Sequence, residues 1–315
     1  MDRIDVEKLL ARIQLEKKGV RNTLVSNEGL LKIQEVMSVY DGEYRLYTSA
    51  EIAQDLKDKP VPTGFRTGTS LDALTGGFRK GQVITWFAHT KHGKTETAMW
   101  LTSLFKELDP VFIALEQSAD ELISQRLERG FEIPHFLAPR RHDTFVLTEW
   151  IEERIVEGLA KYNTQMVFID HLGYIDNNGK DGIWKRENLA YRIGQVMKVV
   201  HHLSQKWDVC IHLLAHISEG DEGKPPQLTD IGNSSDIKKE SDTVIAIWRK
   251  NKMQNKIRVY ENKTMLSVLA NRRFGKNGNV GLVFNDKTGF FSEDNEWVAR
   301  MEDTAREQVK ADENF

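Results

Sequence analysis

The stretch from Val83 to Thr95, VITWF followed by AHTKHGKT, constrains this 315-residue chain more than any other. An apolar run of one buried strand's length passes directly into a turn of small and basic residues, then into residues with helical spacing. A Gly-Lys-Thr so placed ends a phosphate-binding loop, here with Ala88 where a first glycine is usual. Backbone N–H groups at a helix N-terminus cradle phosphate oxygens. The lysine reaches the β- and γ-phosphates, and the hydroxyl after it holds Mg2+. Ala88, His89, Thr90, Lys91, His92, Gly93, Lys94 and Thr95 are thereby assigned to ATP or another NTP or dNTP, with Thr95 on the metal. The alternative is a chance GKT in a basic loop, against which strand, loop and helix all speak.

The surrounding pattern extends that unit. Apolar runs at Val83–Phe87, Val111–Leu115, Met166–Ile169, Val209–Leu214, Thr243–Trp248 and Val280–Phe284 alternate with amphipathic stretches. The latter fall at Thr95–Leu108, Ser118–Arg129, Glu149–Lys161 and Glu187–Trp207. Such alternation predicts an α/β fold on a mostly parallel twisted sheet covered by helices. Lys57–Phe65 is charged and holds Pro60 and Pro62, which marks a boundary. It divides a short helical N-terminal or linker segment, residues 1–58, from an ATPase domain over residues 59–292. Residues 293–315 read as an acidic, mobile C-terminal tail.

The net charge of −3 argues against a nucleic-acid partner only until its distribution is read. Lys238 to Lys276 carries eleven Lys or Arg against three acids, whereas Ser292 to Phe315 carries eight acids against three basic residues. Local density is what meets phosphates. A single cysteine, Cys210, excludes an internal disulfide and a multi-cysteine zinc site. The first residues, MDRIDVEKLL, lack the apolar core of a secretory signal, and no apolar run approaches the ~20 residues of a membrane span. A cytoplasmic protein without membrane contact is expected, in the host cytoplasm if the source is viral.

Four further segments offer chemistry. Asp170 ends the run MVFID, at the sheet edge where open α/β sheets bind ligands, and is expected to hold Mg2+ through a water. A purely structural strand-end acid is the alternative. Glu116 ends VFIALE and is placed to polarise an attacking water, unless it merely neighbours the helix starting at Ser118. His216 ends CIHLLAH, where it can hydrogen-bond the γ-phosphate and report its loss. The side chains of His89, His92, His171, His201, His202 and His212 read as ordinary polar or packing histidines. Arg272, Arg273 and Lys276, in LANRRFGKNGNVG, stand on an exposed hairpin between two strands. Such arginines are usually solvated, but in an NTPase ring the same hairpin delivers an arginine finger to the neighbouring site.

Taken in order, these segments resemble the RecA-like P-loop motor domain of DnaB-type hexameric replicative DNA helicases, closest to the phage primase-helicase and mitochondrial Twinkle branch. The resemblance is carried by TGTSLDALTGGFRKGQVITWFAHTKHGKT, LEQSADEL, MVFIDHLGYI with RENLAYRIGQVMKVVHHLSQKWDV, LLAHISEGDEGKPPQLTDIGNSSDIKKESDTVIAIWR and NRRFGKNGNVG. It covers roughly residues 62–292 and implies a helicase-only protein: a ring that moves on single-stranded DNA and unwinds the fork. It gives Glu116 the catalytic-base role and Arg273 the finger. Asn271 stands where the family usually has an assisting lysine, a role Arg272 or Lys276 would have to take over. The loop Thr229–Lys239 is expected to track DNA phosphates, with donors on Gly232, Asn233, Ser234 and Ser235 and charge on Lys238 and Lys239. The same residues also suit a plain capped helix. A separate primase and, through the acidic tail, a DNA polymerase are the implied partners, and the N-terminal helices are expected against an adjacent subunit. A recombination-mediator-like ATPase without unwinding activity is the second reading. A non-catalytic scaffold is the third, and the intact Lys94, Thr95, Asp170 and Glu116 speak against it.

Overall fold

The structure, a computed structural model, describes residues 46–58, 64–140, 146–176, 189–217, 220–230 and 235–312. Its contacts divide the chain into two units that meet between Pro62 and Thr63, four residues beyond the boundary read from composition. In the first unit, helix α1 (Ser49–Asp58) starts with a reciprocal cap. Glu51 N donates to Thr48 Oγ1 over 3.2 Å and Thr48 N donates to Glu51 Oε2 over 2.7 Å, so two otherwise orphaned amides are satisfied.

The second unit is built on β1 (Val83–Ala88), β2 (Val111–Ala114), β4 (Met166–Asp170), β6 (Cys210–His216), β7 (Thr243–Gln254), β8 (Ile257–Asn271), β9 (Gly278–Asn285) and β10 (Phe290–Glu293). They form one eight-stranded sheet in the order β10-β9-β8-β7-β1-β6-β4-β2. The pairs from β2 to β7 are parallel, and β8, β9 and β10 are added antiparallel. A two-stranded parallel pair joins β3 (Val146–Leu147) to β5 (Ile175–Asp176).

Alternation along β1 sets the layers. Val83 and Phe87 face a core completed by Ile151 and Ile155 of α5 (Thr148–Tyr162) and Met197 and Val200 of α6 (Leu189–Lys206). Ile84, Trp86 and Ala88 face the opposite core, completed by Ala98, Trp100 and Leu101 of α3 (Lys94–Leu104) and Leu122 of α4 (Ala119–Glu128). Strands buried on both faces must read as continuous apolar runs, and β1, β2 and β4 are buried throughout. Among the described residues no helix is long and apolar enough to cross a membrane.

Two elements depart from the sequence reading. β8, at 15 residues, lies in the basic stretch where no strand is marked, because its first half is charged and only its second half is buried. The acidic end is not a mobile tail from residue 293 onward: Glu296–Asp312 form helix α8, whose Trp297 and Val298 are buried against Trp248 of β7 and Met265 of β8. Its acidic positions hide that apolar first turn.

Candidate nucleotide site and the hairpin at the opposite sheet end

Strand register assembles the site. Ala88, the last residue of β1, pairs with His216, the last of β6, while Asp170 of β4 pairs with Leu214 of β6 and Ala114 of β2. The amides of Leu115 and Glu116 both donate to the Asp170 carbonyl, over 2.6 and 3.2 Å, which steers the chain after β2 toward β4. The phosphate loop, Glu116, Asp170 and His216 thus share one carboxyl edge, the place where open parallel sheets hold ligands.

Side-chain contacts tie the group together. Thr95 Oγ1 donates to Asp170 Oδ2 over 2.5 Å, Lys94 Nζ donates to His216 Nε2 over 3.0 Å, and His216 Nε2 lies 3.4 Å from Glu116 Oε2. Lys94 and Asp170 are buried. Burial lowers the pKa of Lys94, and the charges of Asp170 and Glu116 only partly oppose it. Burial likewise raises that of Asp170, against the pull of Lys94 and the Thr95 hydroxyl. Asp170 Oδ1 is buried and has no hydrogen-bond partner among the described residues. A carboxylate with one orphaned oxygen beside a threonine hydroxyl is a donor set that suits a hard divalent cation.

The loop itself is shaped by left-handed backbone at Lys91 (φ 69°) and Gly93 (φ 83°). Thr90 and Lys91 are exposed, whereas His89 and His92 turn inward. His92 Nδ1 accepts the Arg249 amide over 3.0 Å, and burial, helped by the charge at His89, Arg258 and Arg249, brings its pKa down to about 4. Those two rings are packing histidines, as is His212, which accepts the Trp86 indole over 2.9 Å at the centre of the sheet. His171 is not. It follows Asp170 directly, and its Nε2 sits 3.8 Å from Glu116 Oε2, with burial, Lys94 and His216 holding its pKa at about 3. Its position one residue past the strand-end acid is the only sequence signal for it.

Arg273 lies elsewhere. β8 ends at Asn271 beside Thr243, and Thr243 pairs with Ile84 near the start of β1. The hairpin of residues 272–277 is therefore at the opposite end of the sheet from its own phosphate loop. Asn271 fixes it: Oδ1 accepts the amides of Arg273 and Phe274 over 3.0 and 3.2 Å, and Nδ2 donates to the Leu74 carbonyl over 3.0 Å. Asn271 is buried and occupied in shaping the turn. Phe274 rests on Gly76, just past α2 (Leu71–Thr75). Any Cβ at Gly76 would strike that ring, and its φ of 71° favours glycine as well. This explains the first glycine of the pair in LDALTGG. At α7 (Ser235–Glu240), Lys238 is half-buried and Lys239 exposed, while Gly232, Asn233 and Ser234 and the Ser235 side chain lie outside what is described.

Comparison with known proteins agrees with this geometry. The DnaB-like helicase C terminal domain family matches residues 142–293. The replicative DNA helicase DnaB of Treponema pallidum (strain Nichols) is 27% identical over 256 residues, 70% of this chain and 54% of that protein. A probable replicative DNA helicase of Trieres chinensis is 26% identical over 333 residues, 91% of this chain and 68% of that protein. The chain thus spans about half the length of the bacterial relatives it matches. Among solved structures, a DnaB-like replicative helicase studied for its interactions with primase superposes with a TM-score of 0.61 at 17% identity, covering 92% of this chain and 76% of that one. A second solved structure, an isolated ATPase domain, gives 0.60 at 18%, covering 86% and 99%. At those identities the likeness shows the fold alone, an α/β core on a mostly parallel sheet. The family match over residues 142–293, the aligned relatives and the shared fold all make this chain similar to DnaB-like helicases in their C-terminal domain.

Proposed function

We propose that this protein is a nucleotide-driven, ring-forming replicative DNA helicase that moves on single-stranded DNA and unwinds the duplex ahead of it. The observation that carries the reading is the meeting of Lys94, Thr95, Glu116, Asp170 and His216 at one sheet edge with Asp170 Oδ1 left unpartnered. The loop 88–95 binds the triphosphate of ATP or another NTP or dNTP, with Lys94 on the terminal phosphates. Thr95 and Asp170 hold Mg2+, which when bound neutralises charge developing on the phosphate oxygens. Glu116 takes a proton from the attacking water, and His216, already beside Lys94, contacts the terminal phosphate.

Arg273 stands too far from its own loop to serve it, so it serves the site of a neighbouring copy across a head-to-tail contact, which a homo-oligomer such as a hexameric ring supplies. Lys238 and Lys239, with the loop before them, follow the DNA backbone. A primase and a DNA polymerase remain the expected partners, the former in keeping with the primase named for a solved structural relative. The deciding experiment is displacement of one strand of a forked substrate, with Mg2+ and ATP, by the wild type and by Lys94→Ala. The wild type should separate strands and the variant should neither hydrolyse nor separate. DNA-stimulated hydrolysis without strand separation would instead identify a mediator-type ATPase, and an inert wild type would refute a motor.

A further inference from the structure

Two imidazoles approach the same oxygen of Glu116. Oε2 lies 3.4 Å from His216 Nε2 and 3.8 Å from His171 Nε2. The two rings are not equivalent. Lys94 donates into His216 Nε2 over 3.0 Å, and an ammonium has nothing to accept with. That nitrogen is therefore an acceptor, and the neutral ring carries its proton on Nδ1, a buried atom without a partner among the described residues. His171 is arranged the other way round. Its Nδ1 accepts the Gly173 amide over 3.0 Å, which leaves the ring's single proton on Nε2, the atom facing Glu116.

The His171 ring is also well held. Its side chain is 14% exposed and packs against His216 and Tyr174 at centroid distances of 4.4 and 4.9 Å. A Cβ at position 173 would come within 2.7 Å of its Cε1, so glycine there lets backbone and ring approach. Glu116, by contrast, is 41% exposed. A base on an exposed side chain needs a fixed donor, because misplacement by ~1 Å costs on the order of 100-fold in rate.

We propose that His171 is a positioning residue whose Nε2–H holds the Glu116 carboxylate where it meets the attacking water. The inference rests on the reading of Glu116 as the base. At 3.8 Å the pair stands just outside hydrogen-bond length, and such contacts commonly tighten when substrate binds. When Lys94 turns to the phosphates, His216 is released to face them, and His171 remains the donor on Glu116.

The test is steady-state hydrolysis by the full chain with Mg2+, ATP and single-stranded DNA, with nucleotide affinity measured separately by a fluorescent ATP analogue. His171→Ala should lower kcat about 10- to 100-fold and leave KM and affinity within about two-fold. His171→Gln, which restores an N–H, should recover most of the loss. Adding His171→Ala to Glu116→Gln should cost nothing further. If His171→Ala does not fold, His171→Phe keeps the packing without the donor and takes its place. Wild-type kcat in the donor-less variant, a matching rise in KM, no rescue by glutamine or full additivity with Glu116→Gln would each overturn the proposal while hydrolysis by the wild type stands. A wild type that does not hydrolyse would remove the underlying reading and this proposal with it.

Discussion

The Asp170 carboxylate is buried, accepts the Thr95 hydroxyl through Oδ2 and leaves Oδ1 without a partner among the described residues. Burying an unsatisfied charge costs stability unless a cation or donors offset it. Asp170→Asn should therefore match or exceed the wild type in thermal melts without metal, while hydrolysing nucleotide at least ~100-fold more slowly. A variant that melts lower and still hydrolyses would contradict both roles. Acid sensitivity is also set by single residues. Burial brings the pKa of His212 down to about 3, against roughly 6.5 in an unfolded chain. The ring's contribution is complete above pH ~6.5 and is lost as pH falls toward 3, because the unfolded chain takes up the proton first. From His212 alone, urea titrations should find the protein about 2 kcal/mol less stable at pH 5 than at pH 7. His212→Gln, which keeps an acceptor for the Trp86 indole, should flatten that slope. The meeting of Lys94, Thr95, Glu116, Asp170 and His216 is legible in the sequence because each stands where an apolar run ends. The role proposed for His171 is not, since it rests on a proton placed by the Gly173 amide and on the approach of β2 and β6 on either side of β4.

Helix α4 is tied to the rest of the second unit by one buried cation. Arg126 is 1% exposed, pairs with Glu96 Oε2 over 2.8 Å, and donates to the carbonyls of Glu132 and Gly289 over 2.8 and 3.1 Å. Its guanidinium also lies over the Phe290 ring at 4.7 Å. Burial raises the pKa of Glu96, and Arg126 opposes that rise. Arg126→Met should cost about 3–5 kcal/mol in denaturant unfolding, and adding Glu96→Gln should return part of it. Equal losses in the single and double variants would mean that the carbonyl contacts dominate. The central strands and their helices are legible because burial on both faces demands unbroken apolar runs. β8 and α8 are not, because each is half exposed and its buried residues are scattered among charges. Trp297 shows what composition conceals: Trp297→Ala should lower stability by about 3–5 kcal/mol, far more than an untethered tail would allow.

For the whole molecule, the separation between the phosphate loop and the 272–277 hairpin becomes a prediction about copies. Under the proposed reading, Lys94→Ala and Arg273→Ala should each hydrolyse little alone. Mixed one to one, they should recover up to about a quarter of wild-type hydrolysis, since a random ring pairs an intact loop with an intact hairpin at about one seam in four. No recovery on mixing, with both variants folded and associated, would place the arginine outside the neighbouring site. The sequence shows the hairpin and its arginines but not which end of the sheet they occupy, because that follows from the antiparallel return of β8 along β7.

The amide of Asn271 is engaged at both ends, with two turn amides on one side and the Leu74 carbonyl on the other, while Phe274 sits on Gly76. The turn is thus a rigid peg set before any partner arrives. Under the proposed ring, fixing it on docking would take entropy from the association, whereas a turn held in this way meets that cost while the chain folds. A loosened peg, as in Asn271→Ala, would still let protomers gather but would leave them out of step.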